Sequence, residues 1–300
     1  ILVAGKPAMS RDRSAPEAAQ TLPPALYITA TPIGNRGDIT LRGLEVLKAA
    51  DRVLCEDTRV TRKLLGLYGV SRPLVAYHDH NADAMRPKVL EWLAAGESVA
   101  LVSDAGTPLI SDPGFKLARD CRAAGLPVTA LPGASALLAA LAVAGQPTDR
   151  FLFMGFLPAK AGPRRAELAE VAALRATLVL YEAPRRLAAL LADAAAALPG
   201  REAVVCRELT KLFEEVTAMP IADLARHYAE IEPPKGEAVV VIGPPPAGAL
   251  AWSDAAVDAA LARSLETLSV KDAAAAVAKE SGLPRKTLYA RAMELKGGGR

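Results

Sequence analysis

Between Ala25 and Gln146, five short apolar runs alternate with segments of helical character: Leu26 to Thr31, Val53 to Glu56, Leu74 to His78, Val99 to Ser103 and Val128 to Leu131. In the intervening segments apolar residues recur three or four apart, as at Leu41, Leu44 and Leu47, or at Val89 and Leu93 beside Leu90, which places them on one helix face. Strands joined through helices run parallel, because the crossover returns the chain to the same end of the sheet. The runs are continuously apolar rather than alternating, as burial on both faces demands. This rhythm predicts a parallel-sheet α/β domain over 25–146.

"AGQPTDR" (144–150) then breaks the pattern with Gly145 and Pro147 and reads as a linker. A second α/β domain is expected over 150–246, with strands at Phe151 to Gly155, Thr177 to Glu182, Ala203 to Arg207, Glu214 to Ala218 and Ala238 to Gly243. "CRELTKLFEEVTA" is too short to hold a helix between its two runs and predicts an antiparallel hairpin, so this sheet should be mixed. "GPPPAGALA" (243–251) favours an extended spacer. Beyond it, residues 252–296 read as a helical, helix-turn-helix-like module with a turn at Gly282 and a second helix from about Pro284.

Thirty-six Lys plus Arg against 33 Asp plus Glu leave the charge nearly balanced, so its distribution matters more than its total. No run of about 18 uncharged apolar residues appears, which argues against a membrane helix. Cys55, Cys121 and Cys206 are too few and too scattered for a disulfide framework, and a reducing cytoplasm fits them. Residues 1–24, with Lys6, Arg11 and Arg13 among Pro, Ser and Ala and an internal Met9, read as a disordered leader or an expression remnant.

In an open parallel sheet, ligands bind where loops leave the carboxyl ends of the strands. "ATPIGNRGD", "CEDTR", "HDHN", "SDAGTPLISDPG" and "LPGAS" follow the first five strands and so converge on one edge. The phosphate-binding glycine loop and the three-glycine dinucleotide fingerprint are both missing. Asp104 and Asp112 disfavour a phosphate and suit a ligand with hydroxyls, an amine or a positive centre, such as S-adenosylmethionine. The alternative is that both aspartates only cap a turn or the helix from Phe115.

In order along the chain, "TPIGNRGDIT", "EDTRVTRKLL", "HDHN", "SDAGTPLISDPG", "LPGAS", "GFLPAK", "YEAPRRL", "RELTK" and "KGE" closely resemble the ribosomal RNA small subunit methyltransferase I family of the tetrapyrrole methylase superfamily. The resemblance spans about 25–243, and the helical tail is similar to the family's terminal module. It implies a two-domain tetrapyrrole-methylase-like α/β fold, a homodimer, and S-adenosylmethionine bound in an interdomain cleft. The implied reaction is 2′-O-methylation of a cytidine ribose in the 16S RNA of the small ribosomal subunit. Carried onto this sequence, the cofactor-binding positions are Pro32, Ile33 and Gly34, Asp104 and Thr107, Gly133, Ala134 and Ser135, and from the second domain Tyr181 and Gly236. Two departures touch loop shape: Arg36-Gly37 between Asn35 and Asp38, and Ala134 after Pro132-Gly133 where a second proline is frequent.

Such a transfer needs the acceptor oxygen held in line with the methyl group, and a base to take its proton. Asp57 with Arg59 leads the candidates, and Glu182 is a further one; Glu56, His78, His80 and Glu208 are also in reach of the expected edge. Asp57 can equally cap the following helix and pair internally. His78 and His80 would share one face of an extended strand, but no third ligand follows, so no metal is expected. Lys160, Arg164, Arg165, Arg185, Arg186 and Lys211 form a candidate positive track for RNA, extended by Arg285 and Lys286 in the tail. Each is also an ordinary solvated charge. A tetrapyrrole or other small-molecule methyltransferase, and a non-catalytic RNA-binding assembly factor, stay open as alternatives.

Overall fold

The computed structural model describes residues 22–246 and 254–297. Most of the expected leader, and 247–251 of the expected spacer, lie outside the described residues. The fold begins slightly before Ala25: Leu22 packs on the first core, and the Tyr27 hydroxyl donates to the Pro23 carbonyl at 2.9 Å. The chain divides into two compact units between Ser135 and Ala136.

In the first unit, β1 (Leu26–Thr29), β2 (Arg52–Cys55), β3 (Leu74–Ala76), β4 (Val99–Leu101) and β5 (Val128–Leu131) form an all-parallel sheet in the order β3-β2-β4-β1-β5. α1 (Leu41–Ala49) and α2 (Thr58–Leu67) cover one face through Val46, Leu47 and Leu65, meeting Tyr27, Val53, Cys55 and Ala100. α3 (Ala82–Ala94) and α4 (Phe115–Ala123) cover the other through Val89, Leu93, Leu117 and Cys121, meeting Leu26, Ile28, Leu54, Val99 and Leu101. Successive strand residues thus serve opposite cores, which is why the runs carry no polar alternation. Several strands end earlier than their apolar runs, because Ala30, Thr31, Tyr77, His78, Val102 and Ser103 leave the regular ladder to start the loops.

The chain after β1 turns to one face and the chain after β4 to the other, and β1 and β4 are neighbours. That reversal opens the crevice at which ligands of such sheets bind.

The second unit opens with α5 (Ala136–Val143), which packs against a strand of that unit's own sheet. The break therefore falls before the 144–150 segment expected to be the linker. The sheet has β6 (Phe151–Phe156), β7 (Thr177–Glu182), β8 (Glu202–Arg207), β9 (Glu215–Pro220) and β10 (Ala238–Ile242) in the order β6-β7-β10-β8-β9. β6 and β7 are parallel, and every other pairing is antiparallel, including the expected β8–β9 hairpin. α6 (Ala161–Glu170), α7 (Leu187–Ala197) and α8 (Ile221–Glu230) accompany it, with Leu187, Leu190, Leu191, Leu224 and Tyr228 packed on Leu178, Leu180, Val205 and Val240. Arg201, 1% exposed, pins the far end of β10 by donating to the carbonyls of Gly243, Ala172 and Leu174.

The tail is a three-helix module of α9 (Asp254–Leu265), α10 (Val270–Ser281) and α11 (Arg285–Gly297) around Val257, Leu261, Val277 and Leu288. Ser269 caps α10, and Gly282 ends it in the left-handed region. Arg175, in the loop before β7, donates to the Ser281 carbonyl at 2.7 Å and so satisfies the end of α10. No helix is long and apolar enough to cross a membrane among the described residues.

Candidate active site

At the carboxyl edge of the parallel sheet, the loops of the three adjacent strands β4, β1 and β5 are tied together. Thr31 and Gly106 exchange both main-chain hydrogen bonds at 2.9 Å, and the Thr31 hydroxyl donates to the Ser103 carbonyl at 3.0 Å. The Thr107 hydroxyl donates to the Ala134 carbonyl at 2.9 Å. Gly133 faces Ala30 so closely that a Cβ there would lie 2.6 Å from the Ala30 Cβ. Asn35 caps its own 3-10 turn, accepting from Gly37 N at 2.9 Å, so the departure at Arg36-Gly37 folds as a local turn.

The loop after β4, "SDAGTPLISDPG", itself carries unusual backbone. Leu109 and Ser111 sit at φ of 75° and 63°, a region that side-chain-bearing residues adopt at a cost and that clusters at binding sites. α4 is capped by Gly114 without any side chain, so Asp112 does not act as its cap. Nor does Asp104 cap a helix: its carboxylate accepts from the Asp57 main-chain N–H at 3.4 Å.

Beside these loops, Glu56, Asp57, Thr58, Arg59, Ala76, His78, His80 and Asp104 line a cavity of about 470 Å³. Asp57 caps α2, accepting from Arg59 N at 2.8 Å, and its second oxygen meets the Arg59 guanidinium at 2.7 Å. Hydrogen bonds from the Arg59 side chain and main chain hold the Asp57 pKa down at about 2. Asp112 is the reverse case. Burial, reinforced by the negative charge of Glu56, pushes it up to about 6. Asp104 is also raised, by burial.

His78 and His80 do not share a strand face. β3 stops at Ala76, Asn81 accepts from His78 N and donates to the Ala76 carbonyl, and the chain turns into α3. The two rings meet edge to face at 6.0 Å on the cavity wall.

In the second unit, four motifs gather at one end of the sheet, where β6, β7 and β8 finish and β10 begins. The Tyr181 hydroxyl accepts from Leu137 N at 3.2 Å, with Phe153 and Phe156 edge-on to its ring. Gly236 has φ 95°, and a Cβ there would overlap the Glu208 carboxylate. That carboxylate accepts from Glu237 N and from Lys211.

Comparison with known proteins bears on both units. Residues 25–225 match the family described as Tetrapyrrole (Corrin/Porphyrin) Methylases, and residues 252–296 match the RsmI C-terminal HTH domain. A protein of Mesorhizobium japonicum named ribosomal RNA small subunit methyltransferase I is 50% identical over 93% of this chain and 94% of its own length. The chain belongs to the ribosomal RNA small subunit methyltransferase I family. A second member, from Erythrobacter litoralis, is 52% identical over 93% of this chain and 98% of its own. The fold is shared more widely. The uroporphyrin-III C-methyltransferase of Thermus thermophilus, solved as a complex with S-adenyl homocysteine, superposes with a TM-score of 0.51 at 21% identity. It covers 73% of this chain and 97% of its own.

Within the chain, several residues expected to act at the surface are engaged elsewhere. Arg164, expected on the RNA track, is 5% exposed and paired with buried Asp193, because two hydrogen bonds from arginines hold that carboxylate ionised against burial. Asp193 also takes Arg165, which is itself exposed. Arg186 donates to the Leu157 carbonyl at 2.8 Å and pairs with Glu182 at 3.2 Å, fixing the "GFLPAK" loop. Glu182, expected among the catalytic residues, is 2% exposed, and burial raises its pKa. Lys211 is held between Glu208 and Glu237. Of this group Lys160 and Arg185 are exposed and have no ion-pair partner among the described residues. Asp193 was not foreseen: it stands in an alanine-rich helix with no motif around it.

Proposed function

We propose that this protein transfers the methyl group of S-adenosylmethionine to the 2′-oxygen of a cytidine ribose in 16S ribosomal RNA, as a cytoplasmic homodimer acting on the small subunit or its RNA. The observation that carries this reading is likeness over nearly the full length, tail included, to curated methyltransferase I proteins. The solved tetrapyrrole methylase covers less of the chain.

The loop edge fits the cofactor chemically. S-adenosylmethionine, when bound, supplies an electrophilic methyl on a sulfonium. Pro32–Gly34, Asp104, Thr107 and Gly133–Ser135 of the first unit would hold it. Main-chain groups brought close by glycine, and a carboxylate facing hydroxyls or an ammonium, suit that ligand better than a phosphate.

For proton removal, a carboxylate at about 2 is a poor acceptor near neutrality, and one at about 6 a good one. Asp112, which feels the charges of Glu56 and Asp104 on the cavity wall, is therefore proposed as the acceptor, and Asp57 is proposed to position Arg59 for the RNA backbone. Lys160, Arg165, Arg185, Arg285 and Lys286 would add contacts to phosphates.

The test is methyl transfer from labelled S-adenosylmethionine to small subunits from cells lacking this protein, with the modified nucleotide mapped by mass spectrometry. Label on one cytidine ribose is expected. Label on neither subunits nor free RNA, from protein that binds the cofactor, would overturn the reading in favour of a small-molecule acceptor.

A further inference from the structure

We propose that one flank of α11 is a stacking platform for unpaired RNA, with Tyr289 as the residue that contacts a base. The inference rests on the RNA reading above and adds the form of RNA that the tail takes.

α11 buries Leu288 and Ala292, one turn apart, against α9 and α10. Its remaining charges are segregated. On one side Arg291 is locked to Asp258 by two bonds of 2.7 and 2.8 Å, with Glu294 also near it. On the other side Arg285, Lys286 and Lys296 are exposed without an acidic partner among the described residues. The Arg285 guanidinium reaches the Lys271 carbonyl at 3.4 Å, so exposed Lys271 at the start of α10 borders the same flank.

Tyr289 stands in the midst of these cations, at i+4 from Arg285, i+3 from Lys286 and i−7 from Lys296, spacings that share one side of a helix. It is the one aromatic residue in 254–297, and it is 44% exposed, with Met293 one turn on 51% exposed. Leaving a ring and a thioether in water is not needed for the module's core, which closes without them.

Charge complementarity selects a polyanion, and the geometry of RNA selects its unpaired form. A helix of this kind reads duplex DNA by entering a wide major groove, but the major groove of A-form RNA is too deep and narrow for side chains to read. Unpaired bases instead stack on aromatic faces while neighbouring cations hold the backbone. The α11 flank has both parts.

The test uses the full chain and its Tyr289→Ala, Tyr289→Phe and Lys286→Ala variants. Each is titrated with a fluorescein-labelled mixed-sequence single-stranded RNA and with the same strand annealed to its complement. Tyr289→Ala should weaken single-strand binding about tenfold, the scale of one lost base–aromatic stack, and leave duplex binding and the salt slope unchanged. Tyr289→Phe should bind as wild type, and Lys286→Ala should lower the salt slope by about one. S-adenosylhomocysteine affinity, measured by calorimetry, should be the same in all of them.

Equal loss for single strand and duplex, or no loss in Tyr289→Ala, would overturn the platform while leaving the RNA reading standing. Impaired methylation of assembled subunits by Tyr289→Ala with intact single-strand binding would overturn it in favour of a ribosomal-protein contact. Wild-type protein that binds neither RNA and labels no subunit would overturn both.

Discussion

Gly133 and Ala30 approach each other so closely that only the Ala30 methyl group stands between the fifth loop and the first. Replacing Gly133 by Ala forces a contact of 2.6 Å between two Cβ atoms. Overpacking of this kind costs about 1–3 kcal/mol. Gly133→Ala should lower the unfolding midpoint and weaken S-adenosylmethionine binding by about tenfold or more, read by thermal unfolding and calorimetry. Normal affinity in a destabilised protein would separate this contact from the cofactor site.

Asp104 lies where the loop after β4 meets the cavity and accepts from the amide of Asp57. Asp104→Ala removes a charged acceptor, a loss on the order of 1.5–3 kcal/mol for a hydrogen bond to a charged group. S-adenosylmethionine affinity should fall at least tenfold in calorimetry. Unchanged affinity would remove Asp104 from the cofactor site.

Asp112 makes a pH-dependent prediction. Its folded pKa of about 6 stands above the ordinary value of 3.8, so between these the native state binds more protons than the unfolded chain, and stability falls as pH rises through that window. Asp112→Asn should thus match wild type near pH 4 and exceed it above pH 6. The margin, discounted for partial exposure, is about 1–2 kcal/mol. Denaturant unfolding at several pH values measures it. Methyl transfer should fall in the same variant if Asp112 takes the proton, and full activity would return the question of the acceptor to the other carboxylates.

Asp57 should behave differently. Its pKa is held near 2, so it stays ionised across the range in which the enzyme can be assayed and contributes no acid limb to the rate profile. Asp57→Asn should raise KM for RNA by loosening Arg59 while leaving the shape of the pH profile as it was. A displaced acid limb would restore Asp57 as the base.

The parallel rhythm of the first unit was legible because strands buried on both faces and helices buried on one leave different periodicities. Convergence of the five loops followed from that topology alone. The places where sequence misled are contacts between distant residues. Arg164 stands in "GPRR", which reads as a solvated surface run, yet its partner Asp193 is 29 residues away in a helix of alanines. His78 and His80 looked like alternate residues of a strand until the Asn81 side chain, bonded on both sides, turned the chain into a helix. α5 is apolar throughout, so nothing in its sequence says which sheet it covers.

The order of the second sheet carries a consequence for synthesis. β10 lies between β7 and β8, yet among the described residues it is the last strand to leave a ribosome. Until Ala238–Ile242 emerges, β7 and β8 each expose an unpaired edge rich in valine and leucine, the kind of edge that recruits other chains. A nascent chain stalled before Ala238 would be an aggregation hazard even with its first unit folded. The five residues that complete the sheet thus also close both of those edges at once.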